Sequence, residues 1–260
     1  MRKAEELLCA LEVRAAQEPP EGSRTLSICG VGCGVLVPRV YEVLRSPAFY
    51  DVFEETSTGL ELSYAGDTAA QKLATLAKTL FGGGMIFQWR NELLDVVSFD
   101  FSQKLTKAER GIFRFLGLTT TCVHAVARSD AGLFWLGKRS ATKQVDPSLW
   151  DTLSGGLSSA GETLLETLAR ETAEEAGLAP ASYTVQTPVE FLVTRPVREG
   201  WMRERTVVYP ITLKKGTIPE NQDGEVERFE AIPKEELLNR IASDSLTLDA
   251  AIGLLKTLES

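Results

Sequence analysis

The chain has 260 residues, 36 acidic and 28 basic, for a formal net charge of -8, and 43% of its residues are hydrophobic. That length can bury one large core or two modest ones, and the acidic balance, with no lysine- or arginine-rich cluster, argues against nucleic acid as a partner. No apolar run approaches the roughly 20 residues that span a bilayer, and the opening "MRKAEELLCALEVRAAQEPPEG" lacks the apolar core of a signal peptide, so no membrane partner and a cytoplasmic location are expected.

Residues 3 to 17 place Leu7, Leu8 and Leu11 on one helical face, and "EPPEG" stops the helix. The glycine-rich "TLSICGVGCGVLV" follows, then a helix around "PRVYEVLR" and a strand pair in "VFEETSTGLELS" turning at "STG". Cys9, Cys29, Cys33 and Cys122 make neither a CxxC pair nor a disulfide framework, so they are read as structural thiols. A helix is expected over 68–80, ending at the glycines 82–84, with one or two strands in "MIFQWRNELLDVVSF". "SQKLTKAERGIFRFLGLTT" reads as a charged helical connector between a domain at 1–117 and another at 118–260.

Beyond the connector, "CVHAVARSDAGLFWLGKRS" alternates, turns at "SDAG" and returns, the pattern of a hairpin. Further strands are expected in "PVEFLVTRPVREGWMRERTVVYPITLK", and a strand followed by a helix in "EVERFEAIPKEELLNRIAS". The fold class is therefore α+β. His124, alone in an apolar strand, reads as a core residue. Trp89 and Trp201 are read either as core or as rings that stack on a base or cationic heterocycle.

Between these strands, "GGLSSAGETLLETLARETAEEAGL" (155–178) sets Leu165, Leu168, Ala169, Thr172 and Ala176 at the helical period. Glu171, Glu174 and Glu175 then fall at i, i+3 and i+4, and their carboxylates converge. At about 5 Å and an effective dielectric near 20, each like pair costs about 3 kcal/mol before screening. A solvated helix face with Arg170 between Glu166 and Glu174 is one resolution. A hard divalent cation, Mg2+ with oxygen ligands and a share of substrate phosphates, is the other.

Counted from Gly156, the spacing of Glu162, Arg170-Glu171, Glu174-Glu175 and Gly177-Leu178 resembles the box of the Nudix hydrolase superfamily. The resemblance implies a C-terminal α/β/α sandwich with a mixed sheet, preceded by a smaller α+β domain serving substrate specificity or dimerisation. It implies magnesium, with Mn2+ as a substitute, held by Glu171, Glu174, Glu175 and the carbonyl of Gly156. By the same resemblance Arg170 orients the glutamates, Glu162 supports the loop, and Glu225 or Glu227 in "DGEVERF" joins the metal site or acts as base. Thr172 departs from the aliphatic residue usual in the box. Arg139 and Lys143 are candidates for substrate phosphates, with an exposed basic loop as the alternative.

"GKRSATKQVDPSLWDTLSGG", "NQDGEVERF" and "WRNELLDV" further resemble two-domain Nudix proteins related to thiamine pyrophosphokinase-associated enzymes. That group implies hydrolysis of thiamine diphosphate, or its oxidised damage products, to the monophosphate. The partner is then a small-molecule diphosphate, and a homodimer is compatible. Hydrolysis of ADP-ribose, a nucleotide sugar or a dinucleotide, and a non-catalytic binding module, are the competing readings.

Overall fold

The computed structural model describes residues 2–143 and 145–259. Helix α1 (Arg2–Ala15) is followed by β1 (Arg24–Ile28), β2 (Val31–Leu36), α2 (Pro38–Leu44), β3 (Glu54–Glu55), β4 (Gly59–Leu62) and α3 (Gly66–Gly82). The four strands form a sheet in the order β2-β1-β4-β3, parallel only between β1 and β4. Leu73, Leu76 and Leu80 of α3 close its core with Leu26, Leu36 and Leu62.

The segment read as a helical connector is mostly something else. β5 (Leu93–Val97) and β6 (Lys104–Glu109) pair antiparallel, and only a 3-10 turn at Arg110–Ile112 and the short α4 (Phe113–Leu116) that follows it are helical. Lysine, glutamate and alanine favour a helix in isolation, but the ladder to β5 overrides that preference.

β7 (Thr119–Arg128), β8 (Phe134–Arg139), β9 (Trp150–Asp151) and β10 (Ser154–Leu157) lead into α5 (Leu164–Ala176). β11 (Tyr183–Val185), β12 (Val189–Pro196), β13 (Trp201–Leu213) and β14 (Val226–Ile232) complete a mixed sheet, ordered β11-β13-β7-β8-β14. β7 runs parallel to β13 from Thr119↔Arg203 to Arg128↔Thr212. The hairpin of β7 and β8 is paired only at Ala127 and Arg128. Below that point the strands part, and β9 and β10 fill the split, β9 on β8 and β10 on β7. The split is what opens a cavity inside the sandwich.

Leu168 and Ala176 of α5 pack on one sheet face with Val123, Ala125 and Val207. The other face carries α6 (Lys234–Ala242) and α7 (Leu248–Glu259), through Leu237, Ile241, Ile252 and Leu255. Ala4, Leu8, Leu11 and Ala15 of α1 belong to that same core. Thus α1 stands with 1–117 in sequence and with 118–260 in packing. Trp201 crosses the other way, buried among the first region's Phe113, Leu116 and Ile112. A stacking role for Trp201 is overturned by its exposure of only 1%.

Truncating a buried leucine removes transfer free energy and leaves a cavity. Leu11→Ala is therefore expected to lower stability by about 2–4 kcal/mol in urea unfolding. A loss under about 0.5 kcal/mol, the size of a surface substitution, would mean that α1 only decorates the surface.

Candidate active site

The local sequence fixes α5 firmly before any chemistry is considered. Thr163 caps its start: Thr163 Oγ1 accepts from Glu166 N at 3.3 Å, and Glu166 Oε2 accepts from Thr163 N at 2.8 Å. Gly177, at φ 67, ends it in the left-handed conformation that glycine adopts without strain. Leu168, Thr172 and Ala176 are buried, but Leu165 is 56% exposed, which corrects the apolar face drawn from the sequence. The inward arc instead turns toward Glu171 and Glu175, which are 9% and 7% exposed. Thr172 has a role as well: its Oγ1 donates to Leu168 O at 2.8 Å and, 3.1 Å from Tyr183 Oη, is the acceptor for that phenol, so both buried hydroxyl hydrogens are placed.

Arg170 binds the carboxylates together. Its Nε and Nη2 donate to the two oxygens of Glu162 at 2.8 and 2.9 Å, and its Nη1 donates to Glu171 Oε1 at 2.6 Å and Glu174 Oε2 at 3.2 Å. Nη2 also donates to Leu157 O at 3.0 Å, tying the helix to β10. The Arg170 guanidinium holds the Glu162 carboxyl down at about 2, assisted by Ser159 N–H and Thr167 Oγ1. Glu174 is the outer member of the set, with its side chain 55% exposed.

Burial pushes the Glu171 carboxyl up against the pull of Arg170. It pushes Glu175 up to about 8, against the pulls of Gly155 N–H, which donates to Glu175 Oε2 at 3.0 Å, and of Lys143. A Cβ on Gly156 would lie 2.1 Å from Glu171 Oε1, so only glycine lets β10 approach this carboxylate. Lys143 Nζ lies 3.9 Å from Glu175 Oε1 and donates to Glu225 Oε2. Oxygens of Glu175, Asp223 and Glu225 lie within 4.8 Å of one another. This all-oxygen donor set, buried at Glu175 and exposed at Asp223 and Glu225, fits a hard divalent cation.

A cavity of about 840 Å³ opens over these groups. Arg139 lines it, but Arg139 Nη1 donates to Asp151 Oδ2 at 2.8 Å while Nε and Nη2 donate to Asp146 O and Val145 O. That guanidinium holds the 145–151 loop. Glu227 does not line the cavity; it falls in the register shift between Val226 and Arg228, where the bulge leaves it exposed and paired with Arg228. Asp223, within the turn "NQDG", was missed because its type and place are those of an ordinary turn residue. His124 is buried at the cavity wall, with Nδ1 3.0 Å from Thr152 Oγ1 and Nε2 3.3 Å from Cys122 Sγ.

The first region supplies the remaining wall. Ala160 N donates to Leu93 O at 2.7 Å, Gly161 N to Asp95 Oδ2 at 3.2 Å, and Ser159 Oγ to Glu92 Oε1 at 3.3 Å, so β5 holds the loop that enters α5. Arg90, Arg110 and Arg114 face the cavity. Burial lowers Arg90, and Arg110 and Arg114 add to that effect, the sign of three guanidiniums crowded on one wall. Trp89 packs against Phe81 with ring centroids 5.9 Å apart and does not line the cavity.

Residues 118–250, more than half of the chain, match the NUDIX domain, and the chain belongs to the Nudix family. It is 29% identical over 182 residues to the Arabidopsis thaliana protein named Nudix hydrolase 24, chloroplastic, covering 68% of this chain and 50% of that one. With the same plant's Nudix hydrolase 20, chloroplastic, it shares 28% identity over 229 residues, 82% of this chain and 60% of the relative. That second alignment is longer than 118–260 and extends into the first region. The chain spans about half to three-fifths of the length of these relatives. A crystal structure from Deinococcus radiodurans has the same fold, with a TM-score of 0.52 at 23% identity, covering 64% of this chain and 98% of the other.

The buried acids set the pH response of the metal-free protein. The Glu175 carboxyl, raised from 4.5 to about 8, takes up a proton on folding between those values. Its contribution is full below the unfolded pKa and is lost as pH rises toward the folded one. In EDTA, stability should therefore fall between pH 5 and 8 by up to about 1.4 kcal/mol per unit, and Glu175→Gln should flatten the slope. Equal slopes in urea midpoints for both proteins would contradict this placement of Glu175.

Proposed function

We propose that the chain is a metal-dependent pyrophosphohydrolase acting on a small-molecule diphosphate in the cytoplasm, with thiamine diphosphate or its oxidised products as substrate and the monophosphate as product. The observation that carries this reading is the pairing of inward-facing Glu171 and Glu175 with an arginine-lined wall across one cavity. Carboxylates alone would repel a diphosphate, and arginines alone would bind it without activating water.

Glu171, Glu174, Glu175 and the backbone of Gly156 would hold Mg2+ or Mn2+, with Asp223 and Glu225 completing the donor set. Such an ion supplies charge neutralisation at phosphate oxygens and lowers the pKa of a bound water. Arg170 keeps Glu171 and Glu174 in place, so their orientation needs no rearrangement when substrate arrives. Arg90 and Arg114 present guanidiniums suited to phosphate oxygens, and Arg110, whose Nη1 donates to Glu92 Oε2 at 2.8 Å, adds positive charge to the same wall. Lys143, between Glu175 and Glu225, balances their charge and sits at the same mouth.

The names of the plant relatives support hydrolase chemistry, and the resemblance of "GKRSATKQVDPSLWDTLSGG", "NQDGEVERF" and, less distinctively, "WRNELLDV" to the thiamine-related subgroup supports the substrate. ADP-ribose, nucleotide sugars and dinucleotides form the comparison panel. Glu175→Gln is expected to lower kcat by at least about 100-fold while the protein stays folded. Magnesium-dependent formation of phosphate from the thiamine diphosphates, and of the two phosphate-ester products from the other members of the panel, checks both points. Near-normal turnover in the folded variant would sink the mechanism, and tight binding without any release would favour a non-catalytic module.

A further inference from the structure

Across β7 from the box glutamates lies a second group of charges that the proposed hydrolysis does not use. β7 is flanked by β10 on one edge and β13 on the other, so Glu175, bonded to β10, and Glu204, on β13, lie on opposite sides of the same strand. At about 4.8 Å per strand, the two edges are about 10 Å apart. Cys122 on β7 feels Glu204, Asp249 and Glu171 together, which places it between the two groups.

Glu204 is buried and its Oε2 accepts from Thr120 Oγ1 at 2.8 Å. Asp249, in the first turn of α7, lines the cavity, yet its Oδ1 is buried with no hydrogen-bond partner among the described residues. The positive end of α7 accounts for the charge of Asp249 but not for the unpaired oxygen. Burial pushes its carboxyl up to about 7, with Glu204, Asp151 and Asp146 adding to the rise and Arg195 opposing it. Arg195 Nε is likewise buried without a partner among the described residues. Met202 and the neutral thiol of Cys122 line the same part of the cavity and offer a polarizable floor for a flat ring.

We propose that Glu204 and Asp249 form a specificity subsite that takes a positively charged, N–H-donating heterocycle carried by the diphosphate. The proposal rests on the cavity being a diphosphate site, and it assigns the other end of the substrate. Two carboxylates against one guanidinium repel phosphate, and an unpaired carboxylate oxygen disfavours a purely apolar group. The acids that gather closely enough for an ion among the described residues are Glu175, Asp223 and Glu225, so the Glu204 end is left for an organic group.

The test is calorimetric binding of thiamine, which joins a thiazolium cation to an N–H-donating aminopyrimidine and has no phosphate, to wild type, Asp249→Asn and Glu204→Gln, with adenosine as a neutral N–H donor. Thiamine should bind wild type more tightly than adenosine does and lose at least tenfold in affinity in both variants. Magnesium pyrophosphate, which reads the opposite end, should keep its affinity within threefold. Absence of thiamine binding to wild type, equal or tighter binding of adenosine, unchanged thiamine affinity in the variants, or parallel loss of pyrophosphate binding would overturn the proposal. Absence of turnover with every diphosphate would instead sink the hydrolase reading and leave this binding result standing.

Discussion

Arg170 is the interaction on which the site depends. One guanidinium reaches Glu162, Glu171, Glu174 and the carbonyl of Leu157, and so joins the loop before α5, the helix itself and β10. The carboxylates would otherwise separate by repulsion and by the pull of solvent on each anion. Arg170 does not neutralise the whole group. Glu175, out of its reach and buried, answers only to Gly155 N–H and Lys143, and its proton affinity rises in consequence. The fold thus holds carboxyl groups where water cannot screen their charge, and Glu175 responds by keeping its proton.

The rest of the molecule serves that tension. The parting of β7 from β8 makes room for β9 and β10, and Gly156 allows β10 to lie against Glu171. The first region clamps residues 159–161 through β5 and sets three arginines opposite the glutamates. Its junction with the second region is deep: Trp201 is buried in the first core and α1 in the second.

Much of this was legible in the sequence where the signal was local. The spacing of the box, the "SDAG" hairpin and the strand-to-helix passage into α6 all depend on near neighbours. Lys104–Glu109 was misread because its helix-favouring residues are overruled by pairing with β5, which no local pattern announces. Arg90, Arg110, Arg114 and Asp249 carry no motif, and only the chain's folding brings them to one cavity with Glu171. Glu225 and Glu227 looked alike in "DGEVERF", and alternation alone would turn both the same way; the register shift between Val226 and Arg228 at the start of β14 separates them. Thr172, an odd residue in a family pattern, is explained by Tyr183, eleven residues on.

The central claim is that the fold keeps these acids together in want of a cation, with Glu175 carrying a proton until the ion arrives. Calorimetric titration of metal-free protein with MnCl2 at pH 7, in two buffers of different ionisation enthalpy, measures that proton directly. Binding should release about one proton per ion in wild type and none in Glu175→Gln. Ion binding to wild type without proton release, or no ion binding at all, would contradict it.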